Sequence, residues 1–241
     1  MARTEREPGT AIPWIYEIVR IVAKIAIPLL ARLRTEGLEN IPREGPVILA
    51  QNHITWADIP MASMRVPRVT HYMAKIELFQ VPVLGWIMRQ CGAFSVRRGE
   101  GDREALRIAE RVLNRGDVLV VFPEGHRSGT GHLLPGHPGV AYIALRSNAP
   151  IVPVAIAGTE RMFHGFRYGP WRPAVTIRYG KPFHLDLADA RRKREVLGPA
   201  ADQIMRHIST LLPPEYRGAY ADPQSTAPVA TVGDEPPMNP A

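Results

Sequence analysis

Residues 117–128, DVLVVFPEGHRS, decide the fold. Val118 to Val121 follow one another with no polar alternation, so the strand they form is predicted to be buried on both faces. Such a strand belongs inside a largely parallel sheet that is covered by helices on each side. Pro123 and Gly125 then fix a sharp turn at its carboxyl end, expected to present Glu124 and Arg127 outward. Carboxyl ends of strands are where open α/β sheets take up ligands.

The pattern continues in both directions. Upstream, residues 102–115 carry Leu106, Ala109 and Leu113 on one stripe with charges opposite, a helix with Asp102 as N-cap and Gly116 as its stop. Short strands are expected at 69–74 and 93–96. Between them LFQVPVLGWIMRQCG (78–92) is either a short helix facing lipid or simply core. PVILAQ (46–51) reads as another buried strand, followed by a helix-like stretch over 56–63. Downstream come a helix at 138–147, strands PIVPVAIAG (150–158) and AVTIRYG (174–180), and a last helix over about 187–212. Strands alternating with helices predict one α/β domain over 37–218, with a central, mostly parallel or mixed sheet flanked by helices. Residues 219–241, rich in Pro and Ala with little to bury, are expected to form a disordered tail.

Residues 1–36 form a separate N-terminal segment. No small-residue cleavage site follows a short apolar core, which argues against a secretory signal. In WIYEIVRIVAKIAIPLLA (14–31), Glu17, Arg20 and Lys24 fall on one helical face. A membrane-spanning helix would bury that stripe at a cost of about 3 kcal/mol per charge. A helix lying in the interface keeps the charges wet and immerses Trp14, Ile15, Ile18, Ile21, Val22 and Ile25. An amphipathic helix docked on its own domain fits the same pattern. Pro28 is expected to bend or end it.

Composition narrows the function classes. The 241 residues are 45% apolar and 22% charged, a balance that supports a real core. Cys91 is the single cysteine, so an intrachain disulfide and a thiolate metal site are both excluded and a reducing compartment fits. The net charge of +7 favours an anionic partner such as a phosphorylated metabolite or acidic lipid head groups. Nucleic acid is disfavoured, because zinc-finger spacing, RNP-type aromatics and a heptad-backed basic region are all missing.

The chemistry centres on NHITWAD, residues 52–58. On one continuous helix His53 and Asp58 would point about 140° apart. They meet if His53 lies in the loop before the helix and Asp58 in its first turn, with Thr55 as N-cap. Asp58 would then accept the Nδ1 proton and leave Nε2 as a general base. The bland alternative is a histidine ending a strand and an aspartate favouring a helix N-terminus. Rival chemistries find less support. Ser128 stands as G-x-x-S-G rather than in a nucleophile elbow. His126, His132 and His137 lie in a Gly-rich loop without the helical i, i+4 pairing of a metallohydrolase, so no metal is expected.

The ordered set His-x4-Asp (53–58), Gly-x3-Val-x-Arg (92–98), Phe-Pro-Glu-Gly-x-Arg-Ser (122–128) and Pro-Ile-Val-Pro-Val (150–154) resembles the four blocks of the glycerolipid acyltransferases, of the type acting on 1-acyl-glycerol-3-phosphate. The resemblance covers about residues 38–183. It implies direct attack of a glycerol hydroxyl on an acyl thioester, without an acyl-enzyme. His53 becomes the base and Asp58 its orienter. Arg98 and Arg127 become phosphate ligands, with Lys75 a third. Glu124 and Gly125 shape the acceptor site, Pro153 the wall beneath it, and Asn52, Thr55, Pro123 and Ser128 support the loops. No bound cofactor is implied; acyl-CoA or acyl carrier protein enters as co-substrate, a lysophospholipid as acceptor. The enzyme would work as a peripheral or monotopic protein on the cytoplasmic face of a membrane, against anionic lipids. Two departures stand out: His126 replaces the usual Thr of the third block, and Pro135 replaces a Lys common after it.

Overall fold

The computed structural model describes residues 7–97, 102–162, 172–185 and 194–221. Helix α1 (Pro13–Leu30) leads into β1 (Arg32–Glu36), β2 (Val47–Gln51), α2 (Asp58–Ser63) and β3 (Thr70–Lys75). After a 3-10 turn come α3 (Pro82–Gln90), β4 (Phe94–Val96), α4 (Arg103–Asn114) and β5 (Val118–Val121). The chain continues through α5 (Pro138–Ser147), β6 (Ile151–Ala157), β7 (Ala174–Tyr179) and α6 (Leu197–Leu211).

The strands form one seven-stranded sheet in the order β1-β7-β6-β2-β5-β3-β4. Every pairing is parallel except β6 with β7. β2 and β5 are buried along their whole length, as the unbroken apolar runs predict. Their side chains still alternate between layers, because successive Cβ atoms point to opposite faces. Ile48, Ala50, Leu119 and Val121 join one core with α4, α5 and α6. Val47, Leu49, Val118 and Val120 join another with α1 and α2. The central strands are therefore locked in register from both sides. A slip of one residue would exchange the two cores.

Asp102 caps α4 as expected, accepting the N–H groups of Glu104 and Ala105. The two N-terminal alternatives turn out to be compatible. Helix α1 docks on its own domain through Ile15, Tyr16 and Ile27, and the Tyr16 hydroxyl bonds Thr70 at 2.8 Å. Of the six residues expected to be immersed, Ile15 is buried in the protein while the other five face outward. The helix also runs two residues beyond Pro28. Pro28 lies in the last turn, where a missing N–H disrupts little that follows.

One boundary moves. Residues 32–36, grouped with the N-terminal segment, form β1 and pair in parallel with β7 from Arg32↔Ala174 to Glu36↔Arg178. Arg178 seals this edge through an ion pair with Glu36 at 2.8 Å. The domain's first strand thus precedes residue 37. The final helix is described only from residue 194 onward, as a 3-10 turn and then α6. The expected start near 187 and the tail beyond 221 lie outside the described residues.

Candidate active site

Three neighbouring strands, β6, β2 and β5, end side by side, and each is followed by a loop that contributes to one polar cluster. The loop after β2 carries His53, that after β5 carries Phe122 and Glu124, and that after β6 carries Thr159.

Asp58, wholly buried, is the hub. Its Oδ2 accepts from His53 Nδ1 at 2.9 Å, from the Ile54 N–H at 2.7 Å and from the Thr55 N–H at 2.8 Å. Its Oδ1 accepts the Thr159 hydroxyl at 2.7 Å and the Thr55 hydroxyl at 3.3 Å. The Ile54 and Thr55 N–H groups can only donate, so Oδ2 is an acceptor and His53 turns a protonated Nδ1 towards it; in the neutral ring that tautomer places the lone pair on Nε2. No described residue hydrogen-bonds Nε2. The five-residue gap therefore closes, though by a different device from the one expected. Ala57, not Thr55, is the residue before α2, and it offers no side-chain cap. The carboxylate at the first helical position instead reaches back over the loop and takes its N–H groups. Helix α2 is in turn fixed to the sheet by the Tyr72 and Tyr179 hydroxyls, which donate to the Ile59 and Ala62 carbonyls.

His53 is held elsewhere too. Its N–H donates to Glu124 Oε1 at 2.8 Å, and its carbonyl accepts the Ser128 N–H at 2.8 Å. Its ring stacks on Phe122 with centroids 4.0 Å apart. Asn52 supports the same loop. Its amide nitrogen donates to the Ile156 carbonyl at 2.9 Å and its amide oxygen accepts the Ile156 N–H at 2.7 Å, so the side chain extends the β2–β6 ladder beyond the last paired residue.

Glu124 is not presented outward. It is 4% exposed, and its second oxygen accepts the Leu134 N–H at 3.0 Å. Burial pushes its carboxyl up to about 7, against the lowering effect of the two N–H bonds, with the nearby Asp58 charge adding to the rise. The turn that aims it requires Gly125, whose φ of +73° favours glycine.

The remaining expected residues separate. Arg127 is exposed beside the site, in the same turn as Glu124. Pro123 is buried and its carbonyl accepts the His137 N–H at 2.7 Å, tying the turn to the start of α5. Ser128 contributes its N–H, while its Oγ is buried with no hydrogen-bond partner among the described residues. Lys75, at the end of β3, pairs with Glu77 at 3.0 Å. It stands two strands away from β2, roughly 10 Å. Pro153 sits inside β6 opposite Ala50, below the level of His53, and packs towards Gly180 and Leu211 rather than towards the cluster. Arg98 lies outside the described residues. His126 and His137 have local bonds, to the Glu124 carbonyl and from the Gly139 N–H.

Sequence reasoning missed Thr159. It is fully buried and sits 101 residues from the carboxylate it serves. Gly158 delivers it: φ is +96°, and a Cβ there would fall 2.3 Å from the Ala174 carbonyl oxygen. The available signal was a Gly-Thr pair directly after an apolar strand.

Residues 32–157 match the family model described as Acyltransferase. The 1-acyl-sn-glycerol-3-phosphate acyltransferase of Bacillus subtilis is 28% identical over 199 residues, which is 82% of this chain and 96% of that protein. The lyso-ornithine lipid O-acyltransferase of Pseudomonas aeruginosa is 32% identical over 157 residues, 64% of this chain and 58% of that one. The crystal structure of the 1-acyl-sn-glycerophosphate acyltransferase from Thermotoga maritima superposes with a TM-score of 0.61 at 25% identity, covering 79% of this chain and 78% of that chain.

Proposed function

The chain belongs to the acyltransferase family, and from that membership we propose that it moves a fatty acyl group from an acyl thioester to the free glycerol hydroxyl of 1-acyl-glycerol-3-phosphate, a step of phospholipid synthesis. One observation carries the reading: a histidine with Nδ1 bound to a buried aspartate and Nε2 without a hydrogen bond among the described residues, where three strand ends meet.

His53 Nε2 takes the hydroxyl proton as the alcohol oxygen attacks the thioester carbonyl. Asp58 keeps Nδ1–H in place and stabilises the imidazolium that forms. The thiolate is a good leaving group and needs little acid help. General-base assistance of this kind is worth about 10²–10⁴-fold. Arg127, one residue before the Ser128 whose N–H bonds the His53 carbonyl, is the main phosphate ligand, its guanidinium suited to two phosphate oxygens. Arg98 and Lys75 complete the cationic set. The donor is acyl-CoA or acyl carrier protein, both anionic and suited to a chain of net charge +7.

The site works at a membrane surface, on the cytoplasmic face. No helix among the described residues is long and apolar enough to cross a bilayer. The large apolar side chains exposed in the described residues fall on α1, on Trp56 three residues past His53, and on 78–86, including Trp14, Ile25, Leu29, Val83 and Trp86. Backbone bonding joins these segments, since the Ile12 N–H donates to the Gln90 carbonyl at 2.7 Å. An interface of that kind delivers a water-insoluble acceptor to the base.

The deciding experiment incubates purified protein with acyl-CoA and acyl carrier protein donors and a panel of acceptors, with products identified by mass spectrometry. The panel holds lysophosphatidate, glycerol-3-phosphate, other lysophospholipids and lyso-ornithine lipid. Phosphatidate should dominate. Exclusive acylation of the ornithine lipid, the acceptor of the Pseudomonas relative, would replace the phosphorylated acceptor with a phosphate-free one. No acyl product from any pair would sink the reading.

A further inference from the structure

Residues 122–128 grip His53 from three directions. The Phe122 ring lies against the imidazole, Ser128 donates its N–H to the His53 carbonyl, and Glu124 Oε1 accepts the His53 N–H. Glu124 Oε2 meanwhile accepts the Leu134 N–H. Both carboxylate oxygens are thus committed to main-chain donors in two separate loops, and the side chain is shut away from solvent. A buried carboxylate is also a poor ligand for a phosphate, because like charges repel. Keeping this charge close to Asp58 is itself unfavourable, so its retention calls for a reason. The donors supply one. A carboxylate accepts with both ends, whereas an amide of the same shape must donate with one of them.

We propose that Glu124 is a positioning residue: it clamps the main chain of His53 to that of Leu134 and so sets where the base's Nε2 lies, rather than binding the acceptor. This rests on the reading of His53 as the base. Two carboxylates then divide the work on a single imidazole. Asp58 fixes its tautomer and ring rotation, while Glu124 fixes the backbone from which the ring hangs. Phe122 limits the ring's tilt, and Ser128 stops the peptide from turning.

Glu124→Gln tests this, since it keeps the shape and replaces one acceptor with a donor. The expected result is a fall in kcat of about 10²-fold, the effect of misplacing a reacting group by an ångström. The KM for lysophosphatidate should stay within about threefold, as removal of a transition-state contribution requires. Glu124→Asp keeps the charge but not the reach, and should lose turnover as well. Hydrogen exchange of the His53 amide, followed by NMR, needs no substrate. Exchange should be slow in the wild-type protein and at least about tenfold faster in Glu124→Gln. A tenfold rise in acceptor KM at unchanged kcat would make Glu124 an acceptor ligand and overturn the clamp. So would full turnover in Glu124→Asp, or a wild-type His53 amide that exchanges freely. If wild-type protein acylates nothing, the acyl-transfer reading fails by itself, and amide exchange alone decides the clamp.

Discussion

His53 and Thr159 show how differently two residues of one cluster reveal themselves. His53→Ala should lower kcat by about 10²-fold or more while leaving acceptor binding nearly intact, because it removes the proposed base and little else. Steady-state kinetics on lysophosphatidate measure both quantities. Thr159→Val deletes the hydroxyl that Asp58 Oδ1 accepts at 2.7 Å. A buried acceptor deprived of its donor costs about 1–3 kcal/mol, so both thermal stability and turnover should fall, and Thr159→Ser should restore them. The His53–Asp58 spacing was readable because both partners lie in one short stretch. Thr159 was not, since a hydrogen bond across 101 residues leaves no local spacing to read. Glu124 was found but misdirected. A charged residue in a Pro-Gly turn reads as solvent-facing, and only the two buried N–H groups that it satisfies turn it inward.

Among the elements, the buried strands and the capped helix α4 were the easiest to read. Their signals are self-contained: apolar runs for β2 and β5, and an Asp102 cap with a single apolar stripe for α4. β1 was missed because Arg32–Glu36 holds a single apolar residue, Leu33; β7 recruits it through backbone bonding. The exposed apolar faces of α1 and residues 78–86 carry the element-scale prediction. Ile25→Glu with Leu29→Glu, and separately Val83→Glu with Trp86→Glu, should each reduce co-sedimentation with liposomes containing anionic lipid by about tenfold or more, as expected when large apolar side chains lose their burial. Undiminished sedimentation in both variants would remove the bilayer from the proposal. These positions point away from the core, so the folded state should survive the changes.

For the molecule as a whole, two buried groups make stability respond to pH in opposite senses. The folded-state carboxyl of Glu124 lies at about 7, above its ordinary value of 4.5, so the native protein binds the extra proton between those limits. The contribution of this group to stability is therefore largest below about pH 4.5 and is lost as pH rises through about 7. Relative to the wild type, Glu124→Gln should have a higher Tm at pH 8 than it does at pH 5.5, which a pair of thermal melts would check. His71 acts the other way. It is buried beside the Gly92 carbonyl, and burial holds its imidazole below the ordinary 6.5, with Asp117 opposing. The native state resists protonation there, so stability falls as pH drops below 6.5. Topology adds a consequence in time. Asp58 is made early, but Thr159 and the Ile156 backbone that seats Asn52 come about a hundred residues later. On the ribosome a chain that has not yet extruded β6 and its following turn lacks the Thr159 and Ile156 partners of this cluster, although α1 left the tunnel first. The order of synthesis therefore presents the exposed apolar face of α1 before the polar cluster around Asp58 can be completed.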